Sequence, residues 1–185
     1  MPQHIVIVGG GVGGTIVANL LARSLHHQEA EITLIDSTGK HAYMPGWLYL
    51  PFNHVSFGSD QLVRPERDLL NKQVHLVTGD VKKIDAQNRE IHVHYSLGRD
   101  EIGGTGGASE AVYPYDYLVL ATGARLEPSD LPGLEGTEGK WHHFYSAEGS
   151  IQLRHALQTF EGGRIVITVG GIPYRCPPAP LEFTF

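Results

Sequence analysis

Gly9, Gly11 and Gly14 follow the apolar run Ile5 to Val8 at the spacing G-x-G-x-x-G, and a carboxylate, Asp36, stands 22 residues beyond the third glycine. Each residue type has a physical task at that spacing. The first glycine allows a tight turn, the second lets bare backbone approach a pyrophosphate, and the third permits close packing of a helix on a strand. A helix opening at the third glycine turns its N-terminal N–H groups and the positive end of its dipole toward the anion. Asp36 can then accept the hydroxyls of an adenosine ribose, with Val12 and Ser37 as adjoining contacts. The chemistry is dinucleotide binding, a pattern that NAD and FAD share. A further piece, Val119-Leu120-Ala121-Thr122-Gly123, ends an apolar run in small residues where the chain must pass close to a bound cofactor. The single cysteine, Cys176, sits in Tyr174-Arg175-Cys176-Pro177-Pro178-Ala179-Pro180. A reacting thiol needs thiolate character, which Arg175 supports, and a fixed direction, which the prolines supply. The competing reading is an inert, buried cysteine.

The elements that must position these residues follow from periodicity. Val6-Ile7-Val8 reads as a buried parallel strand, and Gly13 to about His26 as a helix with Ile16, Val17, Leu20, Leu21 and Leu25 at helical spacing. Ile32 to Ile35 completes a βαβ unit. Residues 40–59 are rich in aromatics, Pro and Gly, too irregular for a regular element and too apolar for a solvated loop. Val74 to Val77, Val81 to Ile84, Glu90 to Tyr95 and Val112 to Tyr115 read as short strands, the last three an antiparallel insertion. Between Ser96 and Ala111 the chain is Gly-rich, and it reads as a flexible hairpin tip. Tyr117 to Ala121 is a buried strand, Ser146 to Phe160 a helix, and Arg164 to Val169 one more buried strand. With neither a helix nor a parallel neighbour in the remaining 16 residues, that strand implies the front part of a longer protein. The predicted class is α/β: a Rossmann-type domain over 1–145 with an antiparallel β insertion. Residues 146–185 then form a linker helix and the first strand of a second nucleotide-binding-like domain.

At 185 residues, 41% of them hydrophobic, the chain can bury one good core. A formal net charge of −6, with no Lys/Arg-rich run, argues against nucleic acid as a partner. No apolar run approaches the ~18 residues that span a bilayer, and the first strand begins too early for a signal peptide, so a cytoplasmic address is expected. One cysteine excludes an intrachain disulfide within these residues. Eleven histidines invite a metal reading, but the neighbours in His26-His27 and His142-His143 point apart. His92 and His94 share a strand face that is better explained as solvated, and no metal is expected. Trp47, Tyr49 and Phe52 fit a flavin or quinone pocket and core packing equally well. Glu148 and Glu182 are candidate proton carriers.

The stretch Tyr117 to Ala124, lying beyond an antiparallel insertion, resembles the second fingerprint of the two-dinucleotide-domain flavoprotein oxidoreductases. That resemblance implies FAD, with Ala121, Thr122 and Gly123 against the cofactor, the backbone of Val81 at the adenine, and the Pro45 region near the isoalloxazine. Members of that superfamily that take electrons from NAD(P)H carry a second G-x-G-x-x-G. Here Ile172 and Arg175, or in the other frame Pro173 and Cys176, occupy the later glycine positions, so a nicotinamide donor is not expected. Family disulfide reductases pair cysteines near the first strand pair, where this chain has none.

From the first Gly motif to Arg175-Cys176-Pro177-Pro178-Ala179-Pro180, the chain resembles the sulfide:quinone oxidoreductases and flavocytochrome c sulfide dehydrogenase. The resemblance implies that Cys176 is the catalytic thiol, paired with a second cysteine from the C-terminal half. Sulfide is oxidised to sulfane sulfur, and electrons leave to a quinone or a haem. It also implies contact with the inner membrane only through a C-terminal part beyond Phe185, and a homo-oligomer as a possible assembly. Many bacterial members carry a further cysteine in a Cys-Thr-Ala-Glu segment, where this chain has Tyr145-Ser146-Ala147-Glu148, so a three-cysteine mechanism is not expected. The alternatives are an NADH:quinone oxidoreductase-like flavoenzyme and a truncated flavin-binding module without catalysis.

Overall fold

The computed structural model describes residues 2–52, 62–95, 110–134, 137, 139–171 and 174–185. The chain divides into two compact units, one of Met1–Ala42 with Arg64–Ala124, the other of Tyr43–Val63 with Arg125–Phe185.

The first unit is built on a parallel sheet. Strand β1 (Gln3–Val8) leads into helix α1 (Val12–Ser24) and returns as β2 (Ala30–Asp36). The short strands β3 (Lys40–Ala42) and β4 (Val63–Pro65) follow, then β5 (Val74–Thr78), the antiparallel strands β6 (Asp80–Asp85), β7 (Glu90–His94) and β8 (Glu110–Pro114), and β9 (Tyr117–Leu120). The parallel sheet has the order β5-β2-β1-β9, with Ile5 opposite Ile32 on one side and Tyr117 on the other. This is a Rossmann-type arrangement, in which β1 is central and the chain crosses from one side of it to the other, so the carboxyl ends of β1 and β9 meet at the switch point where ligands bind in such sheets.

Alternation along β1 assigns its two faces. Ile5 and Ile7 pack with Ala18, Ala22, Ile32 and Leu34 beneath α1. Val6 and Val8 pack with Ile35, Val77, Ile91 and Val93, so the antiparallel sheet β6-β7-β8 covers the opposite face. Helix α1 corrects one expectation. Its buried residues are the small Gly14, Thr15, Ala18 and Ala22, while Ile16 and Leu20 are exposed. Val17, Leu21 and Leu25 pack against the core as expected, while the small residues Gly14, Thr15, Ala18 and Ala22 take the closest approach to the sheet.

The segment bearing Glu66 is tied down by polar bonds rather than by apolar burial alone. The Arg67 guanidinium donates to the carbonyls of Val74, Leu70 and Asn71, and Asn19 of α1 bonds the backbone of Leu69 and Asn71.

In the second unit, helix α2 (Ala147–Gln158) begins at Ser146, whose side chain caps the Gly149 N–H at 3.1 Å, and a short helix α3 (Ala179–Glu182) follows the cysteine segment. The segment 40–59 contains 3-10 turns at Met44–Leu48 and Leu50–Phe52. Trp47, Leu48 and Leu50 are buried, Tyr49 is exposed, and Phe52 meets Phe183 with ring centroids 5.0 Å apart. The strand expected from Arg164 to Val169 is not present: the segment carries no regular structure, and Ile165, Val166, Ile167 and Val169 are exposed. A strand needs a neighbour to take its backbone hydrogen bonds, and no segment among the described residues pairs with this one. Most of the Gly-rich hairpin tip, and Ile172 and Pro173 of the later glycine region, lie outside the described residues.

Candidate functional site

The β1–α1 turn is closed by glycine contacts that leave no room for a side chain. A Cβ on Gly9, whose φ is +107°, would lie 2.3 Å from the Ala121 carbonyl oxygen, and one on Gly14 would lie 1.8 Å from the Gly9 oxygen. The Ala121 N–H donates to Val8 and the Gly9 N–H to Ile35, so the ends of β1, β2 and β9 are stitched together at the turn. Gly11 is different. A Cβ there would meet nothing within 4 Å, which leaves bare backbone facing open space where the sequence predicts a pyrophosphate. Gly123 also faces open space, with φ +70°.

Helix α1 carries no side-chain cap at Gly11 and no acidic residue in its first turn. Its leading N–H groups, beginning at the exposed Val12, and the positive end of its dipole are therefore available to an anion.

Asp36 ends β2 beside this turn. Its Oδ2 accepts from the Gly10 N–H at 2.9 Å, while Oδ1 accepts from the Thr38 N–H, the Thr38 hydroxyl and the Gly39 N–H. Burial pushes the Asp36 carboxyl up, but those donors together outweigh it and hold the group below its ordinary value. The spare acceptor capacity lies on Oδ2, the oxygen nearer the glycine turn. Ser37 is exposed next to it. The Gly79 N–H donates to the Asp36 carbonyl at 2.9 Å, which brings the start of β6, with Asp80 and Val81, to the same sheet end. Gly9, Gly11, Val12, Gly14, Asp36, Ser37, Val81, Ala121, Thr122 and Gly123 thus all belong to the first unit.

Pro45 and Cys176 belong to the second unit. Cys176 is exposed, has a left-handed φ of 55° that non-glycine residues rarely adopt, and accepts the Ala179 N–H with its carbonyl at 3.0 Å. Arg175 donates from Nη1 to Met44 Sδ at 3.6 Å, so the cysteine segment adjoins the Met44-Pro45 turn. The Tyr145 hydroxyl donates to the Arg175 carbonyl at 2.8 Å. Burial pushes that hydroxyl up, and the nearby Cys176 and Tyr174 add to the effect against the opposing pull of Arg175. Glu148 and Glu182 are exposed at helix ends. His92 and His94 occupy the half-buried face of β7, opposite the buried Ile91 and Val93.

One group beneath the turn has no signature in the sequence. Glu66 is fully buried and accepts the Thr15 hydroxyl at 2.6 Å, with His41 Nδ1 3.0 Å from its other oxygen. The same Nδ1 lies 3.1 Å from the Gly10 carbonyl oxygen. Glu66 stands in the charged run Arg64-Pro65-Glu66-Arg67-Asp68, which reads as a solvated surface, and only the fold brings it to Thr15.

Residues 3–172 match the family model for the pyridine nucleotide-disulphide oxidoreductases. The chain belongs to that oxidoreductase family. It is 26% identical over 174 residues to a sulfide-quinone reductase of Aquifex aeolicus, covering 94% of this chain and 35% of the relative. To a type II NADH:quinone oxidoreductase of Staphylococcus aureus it is 26% identical over 159 residues, covering 86% of this chain and 34% of that protein. Among solved structures, the sulfide:quinone oxidoreductase of Aquifex aeolicus aligns with a TM-score of 0.61 at 22% identity, covering 84% of this chain and 32% of the other. A ferredoxin reductase from Rhodopseudomonas palustris aligns with a TM-score of 0.60 at 23% identity, covering 84% and 34%. These likenesses concern the fold. The chain spans about a third of the length of the curated relatives it matches.

Proposed function

We propose that this chain is the FAD-binding part of an oxidoreductase that converts sulfide to sulfane sulfur at Cys176 and delivers the electrons to a quinone. The observation that carries the cofactor reading is the pairing of a side-chain-free glycine turn with a helix that supplies no cap of its own. Gly9, Gly11, Val12 and Gly14 would hold the diphosphate, Asp36 and Ser37 the ribose, and Val81 the adenine, with Pro45, Ala121, Thr122 and Gly123 against the rest of FAD. The chemistry FAD supplies when bound is a two-electron, one-proton acceptor, so that HS⁻ gives sulfane sulfur and FADH⁻, and the electrons then go to a quinone that takes up two protons. Cys176 is exposed for attack, with Arg175 next to it in the chain. A disulfide there needs a second thiol from outside these 185 residues, which hold one cysteine. A quinone acceptor implies work at a membrane surface, although no helix among the described residues is long and apolar enough to cross one.

The match to type II NADH:quinone oxidoreductases makes NADH the rival donor. Against it stand the side chains at the later glycine positions, Ile172 and Arg175 or Pro173 and Cys176, which would hold backbone away from a second diphosphate. Anaerobic addition of sulfide to the FAD-loaded full polypeptide should bleach the oxidised flavin band, and a Cys176→Ser variant should stay coloured. Bleaching by NADH and not by sulfide overturns the proposal.

A further inference from the structure

We infer that Thr15, His41 and Glu66 are positioning residues for the cofactor diphosphate, fixing the Gly10–Gly11 peptide from behind so that the Gly11 N–H points outward at a phosphate oxygen. The inference rests on the FAD reading above and concerns how this chain presents its own backbone.

The geometry assigns the protons. Glu66 has no solvent exposure, and a buried carboxylate demands donors. Arg67 next to it is committed to three backbone carbonyls, so among the described residues the donors facing Glu66 are the Thr15 hydroxyl at 2.6 Å and His41 Nδ1 at 3.0 Å. Thr15 has one proton, and of the acceptors around its hydroxyl, Glu66 Oε1 at 2.6 Å, Gly11 O at 2.9 Å and Gly10 O at 3.2 Å, the shortest contact takes it. Nδ1 then faces three oxygens that can only accept: Glu66 Oε2, Gly10 O at 3.1 Å and Thr15 Oγ1 at 3.2 Å. The hydrogen therefore sits on Nδ1 and is shared between the carboxylate and the Gly10 carbonyl.

Gly10 is thus held on both sides, its N–H by Asp36 at 2.9 Å and its carbonyl by His41. Across a trans peptide the carbonyl and the following N–H point in opposite directions. With the Gly10 carbonyl turned inward to His41, the Gly11 N–H is turned away from it, and Gly11 itself borders open space, since a Cβ there would meet nothing within 4 Å. Stability alone does not account for the cluster, because replacing both partners of a buried hydrogen bond by apolar groups of similar shape is often nearly neutral. Its location beneath the one peptide that must be aimed does account for it.

The test measures FAD dissociation by flavin fluorescence on the full polypeptide, beside the melting temperature of the cofactor-free form. Asparagine keeps a donor at the Nδ1 position and leucine does not. His41→Leu and Glu66→Met should weaken FAD binding about tenfold or more, the scale of one charge-assisted hydrogen bond, while His41→Asn stays within about threefold of the natural protein. Cofactor-free melting of the two His41 variants should agree within about 3 °C. Unchanged FAD affinity in His41→Leu overturns the inference, as does equal loss in His41→Asn and His41→Leu. If His41→Leu does not fold, the ¹⁵N spectrum of the natural protein decides instead: a protonated His41 Nδ1 supports the inference and a bare one overturns it. Failure of the natural protein to retain FAD removes the cofactor reading itself, a result distinct from all of these.

Discussion

Ile5-Val6-Ile7-Val8-Gly9-Gly10-Gly11 and Ile165-Val166-Ile167-Thr168-Val169-Gly170-Gly171 are built from almost the same residues, yet only the first is a strand and turn. Its apolar side chains are at most 7% exposed, whereas Ile165 is 53% and Val166 69% exposed. Local preference for extended backbone is equal in the two. What differs is company: β1 has β2 on one side and β9 on the other, so every backbone group finds a partner and both faces are covered. A β-branched run reports that a strand is affordable, and its neighbours decide whether one forms.

Substitutions in and beside the two stretches sharpen this contrast. The largest effect is expected at Gly14→Ala, where the added carbon lands 1.8 Å from a backbone oxygen. Equilibrium urea unfolding should show a loss of about 3 kcal/mol or more, together with loss of retained flavin. Gly171→Ala, with nothing within 4 Å, should change stability by less than about 0.5 kcal/mol. Next in size, Ile7→Ala removes a fully buried side chain and should cost about 3 kcal/mol, while Ile167→Ala, 39% exposed, should cost less than about 1 kcal/mol. Equal losses at the two isoleucines would mean that the second stretch is also packed.

Smaller effects separate the two helix starts. Ser146→Ala removes the α2 cap and should cost about 1 kcal/mol by the same unfolding measurement, and α1 has no equivalent side chain to lose. Asp36 sets an acid limit on the turn. Because its carboxyl is held below the ordinary 3.8, the stability it adds is complete above that value and fades as pH falls through the lower folded one. Thermal melts between neutral and acid pH should show a steeper acid loss in the natural protein than in Asp36→Asn.

The first unit was legible because its signals are local. Glycine spacing, an acid at the end of the second strand and small residues after the last one each mark a backbone constraint within a few positions. The antiparallel insertion was equally readable from alternation, with Ile91 and Val93 buried, although the face of His92 and His94 is half-buried rather than solvated. Long-range polar grouping was not readable: Thr15, His41 and Glu66 come from three separate segments, and nothing near Glu66 distinguishes a buried carboxylate from a solvated one. Apolar periodicity placed Val17, Leu21 and Leu25 of α1 against the core but not Ile16 and Leu20, which are exposed while Ala18 and Ala22 are buried. The segment from Arg164 to Val169 is strand-like in composition but pairs with no strand among the described residues, a lack foreshadowed by the absence of a parallel neighbour in the sequence after it.

The bare start of α1 ties folding to supply. A helix that leaves its first turn to a ligand shares one equilibrium with that ligand, so each tenfold rise in free cofactor above its dissociation constant adds about 1.4 kcal/mol to the folded form. Chains with flavin bound would then resist proteolysis better than chains without it.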